Sequence, residues 1–168
     1  MTAPAKARRL DSLLDFAIEI EAGDWPPAAD LESLARRAVS ATLAQCAILP
    51  ARRSELGLTF TDDANIAVLN GEWRGKASPT NVLSFPVVAM RPGDPLPELL
   101  GDIVLAFETV EREAREQGKP FVNHLTHLLV HGLLHLLGHD HMIDEAAHEM
   151  ETLERRILER LAIPDPYA

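Results

Sequence analysis

The sequence predicts an α+β fold: a mixed four-stranded sheet packed on helices, with one helix buried at the centre. Three observations predict it. Short runs in the first two-thirds of the chain alternate apolar and polar residues, the period-two mark of strands with one wet face. From Glu108 onward the spacing turns helical and stays so. One late helix, 121–137, is apolar nearly all round, as a helix enclosed by its own protein is. Strands first and helices last, with some alternation, is the order of an α+β chain. A length of 168 residues favours one domain, 1–168, with an adequate core.

Residues 1–12 read as a flexible terminus. Leu14, Phe16, Ile18 and Ile20 then alternate with Asp15, Ala17, Glu19 and Glu21 and predict the first strand. Gly23 to Pro27 is a break. Asp30 is the expected cap of a helix from Leu31 to about Leu43, with Arg36 and Arg37 on its solvated side. Pro50 to Arg53 connects to a second strand, in which Leu56, Leu58 and Phe60 alternate up to about Thr61. Asp62 caps a short helix, Asp63 to about Asn70, with Ile66 and Leu69 inward. Gly71 to Thr80 reads as a polar loop. Val82–Val88 is the third strand, and Pro86, which cannot donate to a ladder, marks an edge or a strand end. Met90 to Pro97 is a surface loop. Leu99–Phe107 is the fourth strand, with Ile103, Leu105 and Phe107 on one face. Glu108–Gln117 is a charged surface helix stopped at Gly118, and Pro120 suits the start of the central helix. Asp144 is the expected cap of a last helix to about Leu161, whose apolar stripe is Met150, Leu153, Ile157, Leu158 and Leu161.

The totals exclude several classes of function. A formal net charge of −10 argues against charge-driven binding of DNA or of an anionic membrane, so any RNA site is a local basic patch on an acidic body. Acidic residues interrupt the first 23 residues, so no signal peptide is expected. The apolar run Leu128–Leu137 is too short to span a bilayer. Cys46 is the only cysteine; no internal disulfide is possible, and a reducing cytoplasm fits.

The chemistry is concentrated in His131–His141. His131 and His135 are four residues apart, which puts both imidazoles on one helix face. Gly138 can end the helix in a left-handed C′ conformation, and His141 can return to the same face. Three imidazoles round one divalent ion, with a position left for water, is a catalytic zinc arrangement rather than a structural one. Nickel and copper also accept such ligands. The spacing resembles the long zincin motif H-E-x-x-H-x-x-G-x-x-H, except that Gly132 stands where that motif places its glutamate base.

The remaining polar residues read as follows. His124, His127 and His148 read as ordinary hydrogen-bonded histidines, with support of a ligand histidine or contact with substrate as the alternative for His127. His127 lies about 12 Å along the helix from His135 at ~1.5 Å per residue, too far to share an ion. Asp140 is open between accepting a ring N–H from a ligand histidine and stabilising the turn. Arg74 and Lys76 form the one basic cluster of the polar loop, beside Trp73, a possible stacking surface, and the donors Asn81 and Ser84. A guanidinium suits a phosphate through paired donors, although composition alone favours a solvated loop. Arg52 and Arg53 are candidates to extend the patch.

Taken together, His131–His141, the stretch Arg74-Gly75-Lys76 through Pro79-Thr80-Asn81-Val82-Leu83-Ser84-Phe85-Pro86, and Gly101-Asp102-Ile103 resemble the bacterial YbeY family. The resemblance runs from about Leu58 to Tyr167. It implies a single-domain, zinc-dependent endoribonuclease of ribosomal RNA maturation and ribosome quality control. Carried over by position, the metal ligands fall on His131, His135 and His141, and the catalytic residues on Arg74 and His131. His139 departs from the family's usual tyrosine and alters the polarity of the cleft wall. The implied partners are single-stranded or ribosomal RNA and the ribosome or its proteins. Two rivals follow from the same residues: a ribosome-assembly factor with a mainly structural zinc, and a peptidase whose base lies elsewhere.

Overall fold

The computed structural model describes residues 13–168; the expected loose terminus, 1–12, lies outside the described residues. Nine elements follow one another: β1 (Leu14–Ile20), α1 (Ala28–Gln45), β2 (Ser54–Thr61), α2 (Asp63–Arg74), β3 (Val82–Pro86), β4 (Leu99–Ala106), α3 (Phe107–Glu116), α4 (Phe121–Leu136) and α5 (Asp144–Arg160). The strands form one mixed sheet in the order β1-β2-β4-β3. β1, β2 and β4 are parallel, and β3 runs antiparallel to β4. Pro86 therefore closes an edge strand, where a missing ladder donor costs least.

The two faces of the sheet are covered unequally. Leu56, Leu58 and Phe60 of β2 and Ile103 and Leu105 of β4 join α1, α4 and α5 in the main core. Ile66 of α2 packs with Leu83, Val104 and Ala106 on the other face, in a small second cluster. Being covered on both sides, β4 is buried continuously from Ile103 to Ala106 and loses the alternation of a one-faced strand. α4 lies against the sheet through Gly132. A Cβ there would stand 3.1 Å from Ile103 Cγ2 and 3.1 Å from Ser84 Oγ, so any larger residue would push helix and sheet apart by a few tenths of an ångström or displace those side chains. Ser84 Oγ also donates to the Gly132 carbonyl at 2.9 Å.

Several expected element ends shift. α1 starts three residues before Leu31, with Pro27 as the flanking residue and Asp30 inside the first turn, where it faces the helix dipole instead of capping. Proline serves at that position because it has no N–H to lose. α5 likewise has Ile143 at its cap, with Asp144 and Glu145 in the first turn. Asp62 does cap α2, accepting from the Asn65 N–H at 2.8 Å. The largest change is that α2 continues through Gly71 to Arg74, so Trp73 and Arg74 are helical and not loop residues. A Cβ at Gly71 would meet Ala77 Cβ at 3.1 Å; the glycine makes room for the chain folding back after the helix. Gly75, at φ 69°, ends the helix in the left-handed region. Among the described residues, no helix is long and apolar enough to cross a membrane.

Candidate metal centre

α4 brings His131 and His135 to its last two turns, where both are partly exposed on an otherwise buried helix. The helix then ends in a Schellman turn. The Gly138 N–H donates to the His135 carbonyl at 3.1 Å, and the His139 N–H to the Leu134 carbonyl at 3.0 Å. Gly138 has φ 99°, as expected from sequence, and a Cβ there would come within 2.4 Å of the Met90 carbonyl oxygen. The turn sends the chain back, and His141 meets the helix pair. Their ring centroids lie 4.6 Å (131–135), 4.9 Å (135–141) and 5.7 Å (131–141) apart. One ligand nitrogen from each lies within 4.8 Å of the others.

The far side of each helix ring is already engaged. His131 Nδ1 donates to Glu154 Oε1 at 2.5 Å, and His135 Nδ1 donates to the His139 carbonyl at 3.1 Å. Those bonds fix the proton on Nδ1 and leave the Nε2 lone pairs free. The two Nε2 atoms stand 3.1 Å apart, close to the roughly 3.3 Å that tetrahedral ligands at ~2.05 Å from one ion require. Burial, and then the neighbouring charges of His131 and His141, lower the His135 pKa to about 4, so this imidazole is neutral at pH 7, as a ligand must be. The donor set therefore fits a divalent ion.

Glu154 is the residue sequence reasoning missed. It comes from α5, is fully buried, and takes the acceptor role considered for Asp140. Burial alone would raise its pKa, but the nearby His127 ring and the hydrogen bonds from His131 and Tyr167 prevail and hold it at about 2. A signal was present in the sequence: Glu154 lies in the apolar stripe of α5, four residues after Met150 and three before Ile157. Asp140 instead accepts the Met142 N–H at 3.2 Å and stabilises the turn. His124 is a structural histidine, bonded through Nε2 to Glu113 at 2.7 Å. His127 has its ring centroid 6.4 Å from that of His131 and its Nε2 3.5 Å from Glu154 Oε2.

The histidines open into a cleft of about 720 Å³ that also takes in Trp73, Arg74, Phe85 and His139. Arg74 is exposed and, among the described residues, forms no ion pair. Trp73 is 70% exposed, its ring set edge-on to Phe85 at 5.8 Å. The two neighbouring donors are committed elsewhere: Asn81 Nδ2 to Glu113 at 3.1 Å, and Ser84 to Gly132. Arg53 pairs with Asp15 at 3.1 Å beside β1, at the opposite edge of the sheet from β3, so the basic patch does not extend there. Lys76 is exposed but does not line the cleft.

Comparison with known proteins gives this arrangement a family. A sequence profile described as Endoribonuclease YbeY matches residues 18–162. The chain belongs to the YbeY family. A relative from Rhizobium meliloti named Endoribonuclease YbeY is 53% identical over 159 residues, covering 92% of this chain and 95% of the relative. One from Agrobacterium fabrum, with the same name, is 50% identical over 160 residues at the same coverage. The solution structure of TM1509 from Thermotoga maritima superposes with a TM-score of 0.53 at 24% identity, over 87% of this chain and 92% of that one, and so shares the fold. The YbeY family was thus legible in the sequence, as were its fold and the convergence of the three histidines.

Proposed function

We propose that this YbeY-family chain is a zinc-dependent endoribonuclease that cuts single-stranded RNA. Its setting is the cytoplasm, in maturation of the small-subunit ribosomal RNA 3′ end and in ribosome quality control. The observation that carries the reading is one cleft lined both by three converging imidazoles and by Arg74, which forms no ion pair among the described residues. The relatives' shared name supplies the RNA phosphodiester as the bond class.

His131, His135 and His141 would hold the ion. When bound, it supplies Lewis acidity toward water or a phosphoryl oxygen at neutral pH. His131 keeps its Nδ1 proton on Glu154, which orients the ring and strengthens it as a ligand. Arg74 donates N–H groups to the phosphate and steadies the charge that grows on it during attack. Trp73, exposed at the rim, offers a ring face to an unstacked base, which suits a single strand better than a duplex.

A peptidase reading finds no support in the geometry. The residue after the first ligand is a glycine whose Cβ position is crowded by Ile103 and Ser84 at 3.1 Å, so no glutamate base stands there. The test is a defined-end RNA cleavage assay with wild-type, metal-chelated and Arg74→Ala protein. Cleavage by wild type, with loss in the other two, supports the reading. Undiminished cleavage by either, in a nuclease-free preparation, rejects it.

A further inference from the structure

Glu154 is a carboxylate with 0% exposure, and a buried charge is tolerated only where its oxygens are occupied. Oε1 accepts from His131 Nδ1 at 2.5 Å. Oε2 accepts from the Tyr167 hydroxyl, one residue before the end of the chain. That tail is fastened at several points. Lys119 Nζ donates to the Pro166 carbonyl at 2.8 Å, and Asp165 accepts from the Tyr167 N–H at 2.8 Å and from Arg155 Nε at 3.3 Å. The Arg155 guanidinium lies 5.1 Å from the Tyr167 ring centroid, and the His127 ring meets that ring edge-on at 5.6 Å.

We propose that Tyr167 is a positioning residue of the metal centre, acting through Glu154 on His131. This rests on the reading of the three histidines as metal ligands. A carboxylate held at one oxygen can swing, and Glu154 has a competitor for its attention: His127 Nε2, 3.5 Å from Oε2 and, among the described residues, without a hydrogen-bond partner of its own. The Tyr167 hydroxyl pins Oε2, so Oε1 stays on His131 Nδ1 and that ring stays turned toward His135 and His141. Without the hydroxyl, Glu154 relaxes toward His127 and the first ligand loosens. The C-terminal tail is thereby part of the site rather than a covering over it.

The test measures Zn²⁺ affinity of the full chain by competition with a chromophoric chelator, for wild type, Tyr167→Phe, Glu154→Gln and the double variant. The expected order is a roughly 10–100-fold loss for Glu154→Gln, the range for partners that orient a ligand histidine, and a smaller, about three- to tenfold loss for Tyr167→Phe. The phenylalanine ring keeps its packing on Arg155 and His127, so metal-free Tyr167→Phe should fold with the circular dichroism of wild type and a melting temperature lowered by only about a few degrees, the loss of one hydrogen bond to a buried carboxylate. In the double variant the tyrosine change adds nothing, because its route runs through Glu154. Cobalt-loaded Tyr167→Phe should also show altered visible absorption bands. Wild-type affinity in Tyr167→Phe, or losses that sum in the double variant, would overturn the proposal while leaving the metal site standing. A wild-type chain that binds no zinc would overturn both.

Discussion

Gly132 decides more than its size suggests. In a zincin-like spacing it stands where a protease keeps its base, and the structure gives a reason: α4 packs so closely on β3 and β4 that a Cβ there would crowd Ile103 and Ser84 at 3.1 Å. Gly132→Glu should destabilise the protein by about 1–3 kcal/mol or more, read by urea unfolding, and should produce no peptidase activity. Arg74 has the opposite character, exposed and without an ion pair among the described residues, so Arg74→Ala should leave unfolding and zinc content unchanged. Its cost belongs in turnover, on the order of a hundredfold, the scale set by removing one donor to a developing oxyanion. A kinetic assay on a defined RNA checks this, and an effect confined to folding would refute it. His135 yields a pH prediction. Its folded pKa is about 4, against an ordinary 6.5, so the unfolded chain binds the extra proton between those values. Metal-free protein should therefore lose stability as pH falls from about 6.5 to about 4, and His135→Gln should flatten that slope in urea titrations.

At the scale of elements, two helix ends place the chemistry. α2 delivers Arg74 because Gly75 closes it in the left-handed region, and α4 delivers His141 because Gly138 does the same beyond its cap. Gly138→Ala should be the worse change of the two, since its Cβ also collides with the Met90 carbonyl. The expected result is a chain with the helix content of wild type by circular dichroism and at least tenfold weaker zinc binding. Gly75→Ala, with open space around its Cβ, should cost about 1 kcal/mol. These elements also show where sequence reading stops. Gly138 was legible because helix period, glycine and returning histidine agreed with one another. The end of α2 was not, because Gly71 looked like a stop, and only the later placement of Ala77 shows why a glycine sits inside the helix. Glu154 was hidden for a related reason: its partner histidine lies 23 residues away on another helix, and no local spacing joins them.

The whole molecule carries a net charge of −10, yet its proposed substrate is a polyanion. Binding must then rest on few phosphate contacts, with stacking and the metal centre carrying the remainder. Metal-loaded, cleavage-blocked protein should bind single-stranded RNA with a log–log salt slope no steeper than about −2, at ~0.7 per phosphate contact. Fluorescence anisotropy would read this, and a much steeper slope would contradict binding through few phosphate contacts. The four strands, the mixed sheet and the central helix could be read from alternation, Pro86 and the apolar helix, because burial writes itself into local pattern; the strand order β1-β2-β4-β3 could not. The closed network behind His131 could not, since it assembles α4, α5 and the C-terminal tail. The most direct test of the central claim is zinc stoichiometry measured together with RNA cleavage, on protein purified without nickel resin, stripped with chelator and then reconstituted. The account predicts one zinc per chain, lost with His135→Ala, and cleavage that disappears on stripping and returns with one equivalent. A stripped protein that cuts the same RNA at the same rate would contradict it.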